Sequence, residues 1–255
     1  MSTYQQWLGR FSIDSSLDNF SVDATAKTVT QGKYYITGYT AESTSQLCEH
    51  LTTQIAAVVA SSTVVYSAST GKVTITFGSG THTITWTDSA LGTLLGFTGD
   101  CTPGAASFVA TNEAKYCWRP ERPMSQHSVG ITNFWEPEST TIVGRSKSGA
   151  VYSVLGNDLY RCDVGYTMLA DTRVITPATG SVNRELQQYF VDVIHRGELI
   201  RIYQDRTLAA STSFVTAVVS QGDGKPIGRW ADFAQRHLSN YNGLWDVRIP
   251  LVKYV

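Results

Sequence analysis

Charge is scarce in this sequence. Across 255 residues, Lys, Arg, Asp and Glu make up 16%, and the formal net charge is −1. That argues against a nucleic-acid or membrane-surface protein held mainly by bulk electrostatics. Long apolar runs are also missing. The longest, Ile55 to Ala60, is far too short to cross a bilayer, so no membrane insertion is expected. Met1-Ser-Thr-Tyr-Gln-Gln-Trp7 lacks the basic start and apolar stretch of a signal peptide, which predicts synthesis in the cytoplasm. Cysteine is sparse. Cys48, Cys101, Cys117 and Cys162 are widely spaced, and no pair forms Cys-x-x-Cys. A zinc site is not expected; thiols packed as small hydrophobes are. A Cys101–Cys117 bridge would suit an extracellular particle, and cytosolic folding makes it unnecessary.

Groupings that carry chemistry are missing as well. The five histidines are His50, His82, His127, His195 and His237, and none has a partner at a metal-binding spacing. Gly222-Asp-Gly224-Lys225-Pro226 fails as a phosphate loop. Val219 stands where a glycine is needed, and Pro226 where Ser or Thr is needed. It reads as a turn or exposed loop. Gly144-Arg-Ser-Lys-Ser-Gly149 is not a nucleophile elbow. Its cations Arg145 and Lys147 suit a solvated hairpin tip or a contact between subunits. Asp14, Asp18 and Asp23 follow no calcium-loop spacing, and nothing selects two carboxylates as a glycosidase pair. The expectation is therefore no metal, no cofactor, no nucleic acid and no catalysis.

What the chain does contain is clear alternation and periodicity. Leu47, Leu51, Ile55 and Val58 recur at steps of three and four, which predicts a helix, with Thr40 as its N-cap. A hairpin follows from Val64 to Phe77. Val73, Ile75 and Phe77 point one way, and Thr74 and Thr76 the other. Ile84-Thr-Trp86 reads as another strand, and Leu91 to Phe97 as a short glycine-bounded turn. Earlier strands are expected at Phe11–Ile13, Phe20–Val22 and Tyr34–Ile36. In the second half the pattern predicts strands at Leu159–Tyr166, Leu199–Tyr203, Phe214–Val219 and Trp245–Val252. It predicts helices at Asn183–Arg196 and Trp230–Leu238. Asn183 can cap the first of these, and Gly197 suits its left-handed end. Pro250 predicts that the last strand lies at a sheet edge or stops there. The fold class is mainly β with short helices, an α+β arrangement.

Composition shifts near residue 112, from Ser/Thr-rich to more charged. Between the halves lies Cys117-Trp118-Arg-Pro120-Glu-Arg-Pro123, with Pro137 further on. Proline lacks a backbone donor, so this stretch reads as a linker or extended arm. The domain reading is a small α+β module at 1–112, a Pro/aromatic linker at 113–138, and a second domain at 139–255. Trp118, Phe134 and Trp135 lie in or near the linker. They suit a protein interface, a cover over the domain junction, or a surface that stacks on sugars. Trp245 and Arg248 on the closing strand complete the candidate contacts, although the Trp245 ring also suits a core.

Two stretches carry a resemblance. Gly38, Tyr39 and Thr40, then Tyr66, Thr70, Gly71 and Lys72, then Leu91, Gly92, Leu95, Gly96 and Phe97 follow the order of a module found in tailed-bacteriophage structural proteins. The second half resembles the β-sandwich-plus-helix domain of phage distal-tail and minor-tail proteins, through Arg161–Tyr166, Leu186–Ile194, Leu199–Asp205 and Trp245–Leu251. In that family the domain is commonly N-terminal; here it follows another module. The resemblance implies a virion component at the tail tip or baseplate. It would assemble as a homo-oligomeric ring or adaptor with neighbouring tail proteins. The alternatives are a module that binds a receptor or host surface glycan, and, less favoured, a hydrolase of cell-surface polymer.

Overall fold

The computed structural model describes residues 6–14, 19–37, 46–67, 70–118, 136–138, 142–145, 147–148, 151–154, 159–170, 174, 186–203, 214–220, 227–236 and 243–253. Thr40, Phe134, Trp135, Asn183 and the 222–226 loop lie outside these residues. The protein is mainly β with short helices, as the sequence predicts.

The first half opens with strands β1 (Gln6–Gly9), β2 (Phe11–Ile13), β3 (Asn19–Val22), β4 (Thr25–Thr28) and β5 (Gly32–Tyr34). Helix α1 (Leu47–Ala56) follows, then β6 (Thr63–Tyr66), β7 (Val73–Thr76), β8 (His82–Thr85), helix α2 (Ser89–Leu95), β9 (Cys101–Ala105) and β10 (Ser107–Val109). They form a β4-β3-β8-β9 sheet, a β10-β7-β6 sheet and a β2–β5 pair. Helix α1 buries Leu47, Cys48, Leu51 and Ile55, as its spacing predicts. Its N-cap is Gln46, whose side chain makes no capping bond. Instead the Leu47 and Cys48 amides donate to the carbonyls of Tyr35 and Ile36, at 2.9 and 3.0 Å. Backbone therefore supplies the acceptors that a capping side chain would. The expected turn at 91–97 is a capped helix: Asp88 accepts from the Ala90 amide at 2.8 Å, and Gly96 closes it at φ 93°. A Cβ on Gly96 would stand 2.3 Å from the Asn112 carbonyl oxygen. Val73, Ile75 and Phe77 are buried beneath the exposed or half-buried Thr74 and Thr76, as alternation requires.

The second half contains β11 (Cys117–Trp118), β12 (Glu136–Glu138), β13 (Ile142–Arg145), β14 (Val151–Val154), β15 (Leu159–Ala170), helix α3 (Leu186–Tyr189), β16 (Ile200–Tyr203), β17 (Phe214–Val219), β18 (Ala234–Arg236) and β19 (Leu244–Lys253). Helix α3 continues as a π-helical turn over Phe190–Ile194, where the His195 amide reaches the Phe190 carbonyl at 2.7 Å. Gly197 ends it at φ 65°, the left-handed conformation expected there. An antiparallel sheet runs β11-β1-β16-β17-β19-β15-β12, with β18 also on β19. Of the region expected as a helix at Trp230–Leu238, the described residues form a single 3₁₀ turn, Trp230–Asp232, followed by β18; His237 and Leu238 lie outside the described residues. Phe233 and Ala234 are buried in the sheet core and Trp230 packs against it, while Ala231 is exposed.

The closing strand is not at an edge. β19 pairs with β15 along one side and with both β17 and β18 along the other. On that second side, Arg248 donates its amide to the Phe233 carbonyl and Pro250 accepts from the Ser220 amide. Residues two apart in a strand point their backbone groups to the same side. Pro250 thus falls in the gap between the β17 and β18 pairings, where a missing N–H removes no ladder bond.

The boundary expected near 112 also needs correction. β1 belongs to the large sheet, pairing with β16 through Gln6↔Tyr203 to Gly9↔Ile200. It pairs on its other side with β11, through Trp7↔Trp118 and Leu8↔Cys117. The Gly9 amide donates to the Tyr116 carbonyl at 2.7 Å. Residues 10–116 are therefore an insertion between two neighbouring strands of one sheet, with adjacent ends. Alternation lets this strand pair serve two cores. Trp7 and Trp118 join the core of the large sheet, while Leu8 and Cys117 join the core of the inserted module. Residues 113–118, expected as the start of a linker, include the buried Ala114, Cys117 and Trp118. Pro137 sits in β12, at the end of the strand order, where a missing donor is tolerated.

Candidate functional site

The residues expected to form an interface separate into buried and exposed groups. Trp118 is fully buried, edge-on to Trp7 (5.3 Å, 83°) and to Tyr166 (5.3 Å, 88°). A two-residue strand beside a proline carries no periodicity, so its burial was hidden in the sequence. Trp245 is buried 5.9 Å from Trp230. Arg248 is exposed on the opposite face of β19, and Lys147 is exposed at the β13–β14 turn. Arg145 ends β13, opposite Val151. Phe134 and Trp135 lie outside the described residues. Cys48, Cys101 and Cys117 are buried thiols. Burial pushes the Cys101 thiol up to about 11 and the Cys48 thiol well above its usual range.

Arg201 was not visible as a functional residue. It alternates with Ile200 and Ile202 on β16, facing away from their core, and is 3% exposed. Its guanidinium lies 3.9 Å from the ring centroid of Tyr35, in the inserted module. A cation on a ring face in a dry setting is worth ~2 kcal/mol or more. Nearby, Glu49 accepts from the Thr37 hydroxyl at 3.4 Å. Burial raises the Glu49 carboxyl, while its own amide, Thr37 and the Arg201 charge pull it back. At the rim, Glu198 receives Arg10 at 3.3 Å and Lys33 at 2.8 Å. This polar seam orients the module on the sheet.

One Asp–His pair invites a catalytic reading. His82 Nδ1 contacts Asp23 Oδ2, but its Nε2 faces the Ser79 carbonyl oxygen at 2.7 Å. That nitrogen is committed to backbone, so the pair cannot act as a general base on a nucleophile in this arrangement. Among the described residues, no group of three His, Cys, Asp or Glu side chains converges as a metal site would need.

The outer face of the β10-β7-β6 sheet has a different character. Val65, Thr74 and Val109 lie in one row across it, and Thr63, Thr76 and Ser107 in the next. Val65 is 56% and Val109 61% exposed, and no residue in the two rows carries a charge. Val64-Val65 was the available signal: in a strand, one of two adjacent valines must face outward. On β10, bonding to β7 occupies the Ala106 carbonyl and the Ala110 amide, so the groups of Ser107 and Val109 point to the outer edge.

Comparison with family models, with curated proteins and with solved structures gave no match.

Proposed function

We propose that this chain is a structural subunit of a tailed-bacteriophage particle, at the tail tip or baseplate. It assembles through protein–protein contacts with copies of itself and with neighbouring tail proteins, as a ring or adaptor. The observation that carries this reading is the uncharged outer face of the β10-β7-β6 sheet, with two exposed valines flanking Thr74. Exposed apolar side chains grouped on one face mark interaction surfaces more often than isolated ones do. Two of its strands, β6 and β7, lie within the segment from Gly38 to Phe97 that resembles a phage structural module, and β10 follows it. Sugar stacking on Trp118 loses its basis, because that ring is fully buried.

Val109→Lys places a charge on this face without touching either core. The variant should remain folded and monomeric, while the unchanged chain self-associates in sedimentation velocity or joins particles seen by cryo-electron microscopy. Equal assembly by both proteins removes this face from the interface. Attachment of the isolated chain to cells, without assembly, favours the receptor-binding alternative.

A further inference from the structure

Two tight turns meet at one end of the β4-β3-β8-β9 sheet. The turn between β3 and β4 places Asp23 at φ 45° and Ala24 at φ 68°. Two consecutive left-handed residues are the type I′ arrangement, which Asn-Gly adopts most readily. Aspartate tolerates this backbone; alanine gains nothing from it. The turn is strained, and contacts from outside hold it. The second turn, between β7 and β8, has Gly80 at φ 70°.

Asp23 and His82 join the two. Asp23 Oδ1 accepts from the Thr83 amide at 2.8 Å and from the Thr83 hydroxyl at 3.1 Å, and its Oδ2 faces His82 Nδ1. The Asp23 amide donates back to the Thr83 carbonyl at 3.2 Å. His82 Nε2 faces the Ser79 carbonyl at 2.7 Å, and the ring packs on Phe77 at 4.8 Å. Both atoms opposite the ring nitrogens are acceptors. A neutral imidazole has one N–H and satisfies one of them; the imidazolium satisfies both. Asp23 is the titratable group that faces the ring. Phe77 from β7, Ser79 and Gly80 from the turn, and Ala105 opposite on β9 bring no charge.

We infer that Asp23 and His82 form a proton-operated latch: the doubly donating imidazolium ties the β3–β4 turn to the β7–β8 turn, and loss of one proton frees one acceptor and loosens both turns. The direction in pH follows from the contacts. Asp23, and then the Ser79 carbonyl, hold His82 above the ordinary 6.5. Its contribution is complete below 6.5 and fades as pH rises through the raised value. His82, and then the Thr83 amide, hold Asp23 below 3.8. That contribution is complete above 3.8 and fades as pH falls through the lowered value. The latch is tightest between the two.

The test is amide exchange and ring titration by NMR on the full chain. Protection at Thr83 and Asp23, corrected for intrinsic rate, should fall between about pH 5 and about pH 9, while Ile75 in β7 stays constant. His82→Gln should flatten the profile. Asp23→Asn, which keeps a residue suited to the turn, should return the ring titration towards 6.5. A wild-type ring titrating at or below 6.5, or a wild-type exchange profile as flat as that of His82→Gln, overturns the latch.

Discussion

Gly9→Ala probes the insertion of residues 10–116 most directly. A Cβ on Gly9 would lie 2.6 and 2.9 Å from the two Val193 methyl carbons and 3.3 Å from Val193 Cβ. Ordinary contact begins at 3.4 Å. Both methyls stand in the way, so rotating Val193 does not clear the space. Val193 is fully buried in the π turn, and that turn must shift against the sheet. Overpacking of this kind costs ~1–3 kcal/mol. Without the contact the sign reverses, because replacing a strand glycine by alanine gains ~0.5–1 kcal/mol. Val193→Ala alone removes two methyl groups at ~0.8 kcal/mol each and leaves a cavity, for a loss of about 2 kcal/mol. The double variant should recover part of the loss, with a coupling of ~1–3 kcal/mol. Urea unfolding followed by tryptophan emission measures all four proteins, since Trp7 and Trp118 lie in the adjacent core. A neutral or stabilising Gly9→Ala, with additive effects in the double variant, would refute the placement of β1 against the π turn.

Leu51→Ala removes a fully buried side chain of α1 and should destabilise by ~2–5 kcal/mol, whereas Thr74→Ala on the outer sheet face should stay within ~0.5 kcal/mol; urea midpoints compare them. Cys101, buried and with its thiol held up at about 11, should resist iodoacetamide in the native protein and react once unfolded, as read by mass spectrometry.

Elements whose evidence is local were legible. The α1 stripe, the β7 alternation, the full extent of β17 and the Gly197 helix end all follow from spacing within a few residues. What failed was non-local. β1 is four residues long, and its partners lie in β11 and β16. No periodicity in Gln6–Gly9 announces that Trp7 and Leu8 serve different cores. Pro250 suggested an edge because its missing donor was weighed without knowing that two short strands share one side of β19. Of the candidate interface, Trp118 and Trp245 moved inward, and Lys147 and Arg248 stayed at the surface. The valine face and the Asp23–His82 contact needed strand register to be seen.

The pairing of β1 with β16 sets an order of events on the ribosome. Gln6 waits for Tyr203, and at ~5–20 residues per second the delay is about 10–40 s. Within that time residues 11–116 can close their own sheets and bury their own core. The Trp7 and Trp118 indoles meanwhile lack Tyr166, whose ring lies 5.9 and 5.3 Å from theirs in the finished sheet. The nascent chain therefore matures from the inside of its topology outward, carrying two uncovered tryptophans. Slowing translation after residue 118 would prolong their exposure.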